Sequence, residues 1–455
     1  MPKKKTALTI EERLQQALVP AEEQPYEVPE NWVWVRLGEV NKYISKSVNP
    51  ISEPDKIFEL YSVPSMVDNY PEIIAGSDIG SSKQSVCKKD VLLCKINPRI
   101  NRVWKVSQFT DNELIASSEW IIIRNNHIDA NYLMYCFQSK YFREFMLSNV
   151  SGVGGSLMRA QPKYVQTYPI PLPPLSEQQR IVERIEELFA KLDEAKERLQ
   201  EVADSFAVRK AAILHKAFTG ELTKQWRLEN GVSDESWEEK KFDDCIEKMQ
   251  NGLSKRKGDE GNNIGVLRLA NLGEDDLVLD DLRYILLTEK EEKNYLLSKD
   301  DVIMIRVNGS KDNVARQIVI NTDEKLAFCD HIIRIKYNPN IVARYVMYFS
   351  KTNAYRKYVE DNMVSSAGQN TISRKGLASL VIPLPSIEEQ HEIVRLINDL
   401  LARERKAQQA AEQALASIDL MKKSILARAF RGELGTNKAS EASALELLQQ
   451  VLAEN

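Results

Sequence analysis

Histidine and cysteine are both scarce in this sequence. Four histidines (His127, His215, His331, His391) and five cysteines (Cys87, Cys94, Cys136, Cys245, Cys329) are spread over 455 residues. No Cys-x-x-Cys pair occurs and no histidines stand at metal-ligand spacing, so neither a disulfide framework nor a metal site is expected. An odd, scattered set of thiols suits a reducing compartment. No apolar run approaches the roughly 18 residues of a membrane span, and the opening Met-Pro-Lys-Lys-Lys-Thr is followed by no apolar stretch. A cytoplasmic protein with no membrane partner is expected. Catalytic signatures are missing too. Ser151-Gly-Val-Gly-Gly-Ser156 lacks the Lys-Ser or Lys-Thr of a phosphate loop and reads as a flexible loop. There is no Asn-Pro-Pro-aromatic or Asp-Pro-Pro-aromatic tetrapeptide of amino-methyltransferases, the nearest being Asn97-Pro-Arg-Ile100. Glu291-Glu-Lys293 has the Glu-x-Lys form of some nucleases but sits in a charged run and reads as a solvated face. No serine with a histidine partner stands in a nucleophile elbow. The chain reads as non-catalytic, with no cofactor of its own. Positive charge is not in excess either: 62 Lys and Arg stand against 66 Asp and Glu, a net charge of −4, so any nucleic-acid binding must come from local patches.

What the sequence does have is an internal repeat. Ile170-Pro-Leu-Pro-Pro-Leu-Ser-Glu-Gln-Gln-Arg-Ile-Val182 recurs 212 positions later as Ile382-Pro-Leu-Pro-Ser-Ile-Glu-Glu-Gln-His-Glu-Ile-Val394. The same displacement carries Ile213-Leu-His-Lys-Ala-Phe-Thr-Gly-Glu-Leu222 onto Ile425-Leu-Ala-Arg-Ala-Phe-Arg-Gly-Glu-Leu434. Weaker matches drift by a few positions: Lys89 to Asn97 with Asp300 to Asn308, Tyr132 to Tyr135 and Phe142-Arg143 with Tyr345 to Tyr348 and Tyr355-Arg356, and Asn31-Trp32 with Ser236-Trp237. Drift means loop insertions, so the chain reads as domain, helix, domain, helix. The expected boundaries are an N-terminal segment with a short helix capped by Thr9-Ile-Glu-Glu12 (1–29), a first domain (30–170), a central helix element (171–222), a polar linker (223–235), a second domain (236–382), a distal helix element (383–434) and a tail with a short helix over Ala442 to Ala453 (435–455).

From Ile181 the apolar positions run Ile185, Leu188, Leu192, Ala195, Leu199, Val202 and Phe206, alternating steps of four and three. That is a heptad seam. Its copy, from Ile393 and Ile397 to Met421 and Ile425, is interrupted by Glu404 and carries Ala407, Ala411 and Ala414, which allow close backbone approach. Prolines bar an earlier start, Gly220 and Gly432 supply ends, and Ser176 and Ser386 each fit a capping box although the ungapped repeat allows only one to be a cap. A helix over 176–217 would be about 60 Å long, and its seam predicts burial against its copy. The fold class expected is α+β: two mixed α/β domains alternating with two long helices that form an antiparallel coiled coil, with a pseudo-two-fold repeat. Val86 to Ile96, Leu114 to Arg124, Val302 to Val307 and His331 to Ile335 read as strands, and Tyr132 to Met146 and Tyr345 to Val359 as amphipathic helices.

One stretch is strongly basic. Residues 83–105 hold Lys83, Lys88, Lys89, Lys95, Arg99, Arg102 and Lys105 against the single acid Asp90. Its centre mixes these cations with Asn97 and Asn101, and Arg and Asn contact base edges where Lys suits phosphates. The second domain offers Arg306, Asn308, Ser310, Lys311 and Arg316 at the repeat-equivalent place, and Asn251, Ser254, Lys255 and Arg256 around an Asn-Gly turn. A solvated loop is the alternative reading of either patch.

With its two Pro-Leu-Pro…Glu-Gln…Ile-Val elements, each ending in Ala-Phe-x-Gly-Glu-Leu, the sequence resembles the specificity subunit of type I restriction-modification enzymes, over nearly its whole length. The resemblance implies target recognition domains at about 30–170 and 236–382, each reading one half of a bipartite, asymmetric double-stranded DNA target. It implies long helices that act as a ruler and dock two modification subunits, with restriction subunits beyond. S-adenosylmethionine, ATP and Mg, with adenine methylation and cleavage, would belong to those partners. Asn251-Gly-Leu-Ser254 and Arg306-Val-Asn-Gly-Ser310 look like segments of some members' second recognition domain; the first domain has no such match. A non-catalytic coiled-coil scaffold joining two protein-binding modules is the alternative, and it leaves the cationic loops without a role.

Overall fold

The computed structural model describes residues 9–151 and 158–454. The chain divides into two compact units, residues 1–199 with 413–455, and residues 200–412. The first unit therefore combines an early and a late part of the sequence. Helix Ile10–Ala17 starts at Thr9, whose hydroxyl accepts the Glu12 N–H at 3.2 Å while the Glu12 carboxylate accepts the Thr9 N–H at 2.8 Å. It packs into one core with helix Ala444–Ala453 of the tail.

Each unit is built on a sheet whose two faces bury different cores. In the first unit the strands Val103–Lys105, Val91–Cys94 and Trp120–Ile123 lie side by side. Val91, Leu93, Ile121 and Ile123 point into a core shared with the helices, whereas Leu92, Cys94, Trp120 and Ile122 point into a second, β-sheet core. Alternation along a strand thus places an unbroken apolar run correctly on both faces. The second lobe is a five-stranded sheet in the order Ser47–Val48, Lys83–Ser85, Glu113–Ala116, Ile57–Tyr61, Glu72–Ala75. In the second unit Val302 and Met304 face the helical core, and Ile303 and Ile305 the other. Their strand, Val302–Ile305, lies in a four-stranded sheet beside Ile332–Tyr337.

The expected elements are shorter than read. Leu114 to Arg124 is two strands in different sheets, parted by the turn Ser117-Ser118-Glu119. Val86 to Ile96 keeps only Val91–Cys94 as strand, after a turn in which Lys89 is left-handed (φ 77). Tyr132 to Met146 is two helices, Ala130–Gln138 and Lys140–Ser148, because the Ser139 hydroxyl donates to the Cys136 carbonyl at 2.6 Å and accepts the Phe142 N–H at 3.5 Å. One hydroxyl ends one helix and caps the next. Thr352 does the same between Ala343–Phe349 and Asn353–Asn362, with 2.8 Å to Phe349 and 3.2 Å from Tyr355.

The long helices are Leu175–Asp204, continued after a turn at Ser205 by Phe206–Phe218, and Ile387–Ala429. Ser386 is the cap, accepting the Glu389 N–H at 3.3 Å, while Ser176 lies inside a helix that starts on the Pro174 carbonyl. Within each unit the helices run antiparallel. In the first, Arg180 reaches Glu441 at 2.7 Å and Asp193 meets Lys422 at 2.6 Å; in the second, Arg209 meets Glu404 at 2.8 Å and Arg227 meets Glu389 at 2.7 Å. Glu404, the interruption in the seam, is there to take an arginine. The seam is buried unevenly, with Ala411 (5%) and Ile418 (3%) buried inside its second copy. Ile181, Ile185, Ile393 and Ile397 are fully enclosed, Leu188, Leu192, Ala195 and Leu199 are half-buried, and Val202 (44%) and Met421 (50%) are exposed. The facing stretch is rich in alanine, and small side chains leave larger ones partly uncovered, so burial varies along the seam.

Residues 223–235, expected as a polar linker, are partly helical and make specific contacts. They hold helix Lys224–Asn230, ended by Gly231 in the left-handed conformation (φ 65). Its Arg227 is buried, donating to Glu389 at 2.7 Å, to Asp234 at 3.0 Å and to the Gly220 carbonyl at 2.9 Å. The repeated Glu-Gln dipeptide is thereby explained. Glu389 also accepts the Thr223 hydroxyl at 2.6 Å, and its counterpart Glu177 accepts the Trp32 indole N–H at 2.7 Å and the Asn437 amide at 2.8 Å. Gln178 accepts the Asp129 N–H at 2.8 Å and donates to the Pro173 carbonyl at 2.9 Å; Gln390 does the same with Val342 and Pro385 at 2.8 and 3.0 Å. Both dipeptides are buried fasteners between helix and domain.

Candidate nucleic-acid interface

In the first unit, strand Val91–Cys94 runs out into Lys95 and Ile96, then into a single 3₁₀ turn, Pro98–Ile100, bounded by Asn97 and Asn101, both left-handed (φ 47 and 53). Asparagine tolerates that conformation better than most residues, so both asparagines serve the turn's backbone. Asn101 is committed further, its amide donating to the Gln138 carbonyl at 3.1 Å. The turn lies beside the hairpin Val150–Ser151 and Arg159–Ala160, through an Ile96 to Arg159 bridge and an Ala160 N–H to Lys95 carbonyl bond of 2.8 Å. Arg143 buttresses it by donating to the Arg99 carbonyl. The glycine-rich segment 152–157 lies outside the described residues.

The second unit repeats this construction. Strand Val302–Ile305 leads to Arg306, and Val307–Asn308 pairs with Gln369–Thr371, which pairs with Val364–Ser366 around a turn at Ala367 and Gly368 (φ 48 and 78). Arg356, the counterpart of Arg143, donates to the Val314 carbonyl at 2.7 Å and the Lys311 carbonyl at 3.3 Å. The second patch joins the same edge: the Arg306 N–H donates to the His331 carbonyl at 2.8 Å, and Arg256 forks onto Asp330 at 2.9 and 3.2 Å. Cys329, Asp330 and His331 bring ligand-type atoms within 4.8 Å of one another. Spacing along the chain did not suggest this, because three consecutive side chains converge at a tight turn. The Asp330 carboxylate there is already matched by Arg256.

The candidate residues fall into three groups. Arg99 is exposed, Arg102 and Arg306 are half-buried, and none has a carboxylate partner among the described residues, so their charge is available to a ligand. Lys255 (2.9 Å to Glu291), Arg256 and Lys311 (3.8 Å to Glu360) are already paired and must exchange partners to meet a phosphate. Most of the rest make contacts within the fold. Lys95 donates to the Ser118 carbonyl and Lys105 to the Asn131 side chain, both at 2.6 Å. Lys83 turns back onto Ser81 at 2.6 Å, and burial pulls its pKa below the usual lysine value. Arg316 is half-buried, donates to the Leu272 carbonyl at 2.8 Å, and burial lowers its pKa as well. Asn308 accepts the Ser310 N–H at 2.8 Å and shapes the loop, Ser310 and Ser254 are exposed, and Asn251 ends a strand. Sequence reasoning missed the hairpins and the two buttressing arginines. The Phe142-Arg143 and Tyr355-Arg356 repeat was the signal for the arginines, and Ala-Gly between short polar strands the signal for one hairpin.

This doubled architecture has known relatives. A family model, the type I restriction modification DNA specificity domain, matches residues 29–204 and again 234–413. The chain belongs to this family. It is 34% identical over 337 residues to the type I restriction enzyme StySPI specificity subunit of Salmonella potsdam, covering 72% of each, and 28% identical to the EcoKI specificity subunit of Escherichia coli, again over 72% of each. The fold matches the crystal structure of the HsdS subunit from Thermoanaerobacter tengcongensis with a TM-score of 0.67 at 21% identity, covering 90% of this chain and 99% of that one. The specificity subunit described here thus carries two recognition domains of mixed helix and sheet, each followed by a long helix. No helix among its described residues is long and apolar enough to cross a membrane.

Proposed function

We propose that this specificity subunit reads a bipartite, asymmetric double-stranded DNA target, one recognition domain to each half. The observation that carries this is the same construction in both units: a strand end, a cationic turn, a pairing hairpin and a buttressing arginine, with Arg99 and Arg102 free in one and Arg306 in the other. Unlike loops on like scaffolds read unlike half-sites. The subunit performs no bond chemistry; two modification subunits supply S-adenosylmethionine-dependent adenine methylation, and restriction subunits supply ATP- and Mg-dependent cleavage. The scaffold alternative gives the unpaired arginines no role.

Methylation-sensitive sequencing of host DNA should return a two-part target. Binding of the complex with modification subunits should then be measured on that target and on versions mutated in one half. Arg99→Ala or Arg102→Ala should lose about 1 to 3 kcal/mol of discrimination in one half only, if the lost contact is bidentate to a base. Arg306→Ala should do so in the other half. Equal loss in both halves from either variant would overturn the assignment. Incubating the subunit alone with DNA and labelled methyl donor should leave the DNA unlabelled.

A further inference from the structure

One loop of the second unit touches both of its long helices and its cationic turn. Between the 3₁₀ turn Leu269–Asn271 and strand Arg283–Leu287, residues 272–277 form a tight hairpin in which Leu272 bridges to Leu277 and the Gly273 N–H donates to the Asp276 carbonyl at 2.9 Å. A Cβ at Gly273 would lie 2.6 Å from that carbonyl oxygen, so only glycine fits. The base is held by buried Asn271, whose amide donates to the Val278 and Asp281 carbonyls, both at 3.0 Å. At the tip, Glu274 pairs with Lys210 on Phe206–Phe218. The two carboxylate oxygens of Asp275 take Lys351, from the turn between Ala343–Phe349 and Asn353–Asn362, and Arg405 on Ile387–Ala429, the latter at 3.3 Å. Behind the tip, Arg316 donates to the Leu272 carbonyl at 2.8 Å, and the Ile305 N–H donates to the Arg316 carbonyl at 3.0 Å, closing the turn that begins at Arg306. The exposed Glu274 pair adds little. Asp275 and Lys351, with side chains 23% and 10% exposed, form a pair shielded from salt. Among the described residues, no ion pair ties the first unit's five-stranded sheet to a long helix.

We propose that this hairpin is a strut, with Asp275 its positioning residue, that fixes the second domain's cationic turn at one height along the two helices and so makes the subunit selective for one spacer length between half-sites. This rests on the functional reading above. One base pair is about 3.4 Å of duplex, less than the reach of a lysine side chain. A helix-borne reader therefore tells neighbouring spacers apart only if no loose loop takes up the difference, because half-site spacing is a geometric quantity and a site is as precise as the residues that hold it. Residues 273–276, Gly-Glu-Asp-Asp, hold three acids and no cation, which disfavours contact with phosphates. The hairpin acts on recognition through the turn it holds.

The test measures binding of the full complex with modification subunits to its two-part target, to targets with the spacer one base pair longer or shorter, and to targets altered in the half read by the first domain. Asp275→Asn should cut the preference for the native spacer at least fivefold, and so should Arg405→Gln, which breaks the same tie from the helix. Preference for the correct bases in the first half should stay within twofold. A merely destabilising change lowers the active fraction and weakens every target alike, so these ratios would not move. Asp281→Asn, which breaks the loop's pair with Arg268 and no tie to a helix, should leave the spacer preference within twofold. Should Asp275→Asn fail to fold, Arg405→Gln at its exposed position decides. A spacer preference within twofold of wild type in the folded strut variants would overturn the proposal. A wild-type complex with no two-part target would instead overturn the functional reading, and the strut's role with it.

Discussion

Arg227→Met should be among the most damaging single changes in the second unit. Glu389 is completely buried, and among the described residues only the Arg227 guanidinium at 2.7 Å and the Thr223 hydroxyl at 2.6 Å compensate its carboxylate. Removing the guanidinium while keeping its aliphatic bulk leaves a buried charge with one hydroxyl, which costs about 3 to 5 kcal/mol. The Asp234 end of the arginine adds little, because Asp234 is largely exposed. Removing both charges tells the two contributions apart. In Arg227→Met with Glu389→Leu, the lost hydrogen bond from Thr223 costs roughly 1 kcal/mol, and no unpaired charge remains. The assay is a double-mutant cycle by urea unfolding, followed through the fluorescence of Trp226 and Trp237, which flank the buried arginine in sequence. The double variant should be more stable than Arg227→Met alone by about 2 kcal/mol or more, taking the difference of those two costs. A cost below about 1 kcal/mol for Arg227→Met, or a double variant as unstable as the sum of its parts, would refute the view that the repeated glutamate is a charge-bearing fastener here.

Arg316→Ala should lower thermal stability by about 1 to 3 kcal/mol, leaving the Leu272 carbonyl without its donor; the salt slope of DNA binding should stay as it is, and a shallower slope would move Arg316 into the interface. Ile185→Glu, at a fully buried position, should cost several kcal/mol, whereas Val202→Glu, at an exposed position of the predicted seam, should shift the melting temperature little; equal effects would show the seam to be evenly buried. Glu441 is held below the usual carboxylate pKa by its hydrogen bond from Arg180. A depressed folded pKa means the tail's docking is fully present above the unfolded value of about 4.3 and is lost as pH falls through the folded one. Hydrogen exchange of residues 444–453 should therefore be constant from about pH 8 to 5, after correction for intrinsic rates, and rise below about pH 4. Glu441→Gln should abolish that dependence, and an unchanged acid response in the variant would refute it.

The repeat, the terminal caps and the presence of two long helices were legible because each rests on local chemistry or on self-similarity. Thr9 with Glu12 needs four residues to be recognised, and the ungapped copies need only alignment. What was not legible depended on side chains meeting across the fold. Ser139 reads as a tolerable residue inside an amphipathic helix, and only the geometry shows its hydroxyl serving two helix ends. Arg227 sits in a polar stretch that looks solvated until Glu389, far along the chain, is brought beside it. The basic stretch 83–105 was legible as a concentration of cations, but the partners its lysines take within the fold were not. Lys83, Lys95 and Lys105 spend their charge on the fold, and that spending is visible only once Ser81, Ser118 and Asn131 have positions.

The buttressing arginines show how a repeat can hold unlike readers. Arg143 and Arg356 are repeat-equivalent, and each donates to loop carbonyls, Arg99 in one unit and Lys311 and Val314 in the other. A carbonyl is present whatever the side chain of its residue, so this support constrains the path of the loop and leaves its sequence free. The hairpins support the loops in the same way, through main-chain pairs at Ile96 with Arg159 and at Asn308 with Asn370. Side-chain identity is fixed where the domains meet the helices, at Glu177, Gln178, Glu389 and Gln390, and released at the turns that carry Arg99, Arg102 and Arg306. On the proposed reading, a subunit built this way would change its target by substitution within the turns while the fasteners stay intact. That is why the repeat is strongest in the helix elements and weakest in the loops.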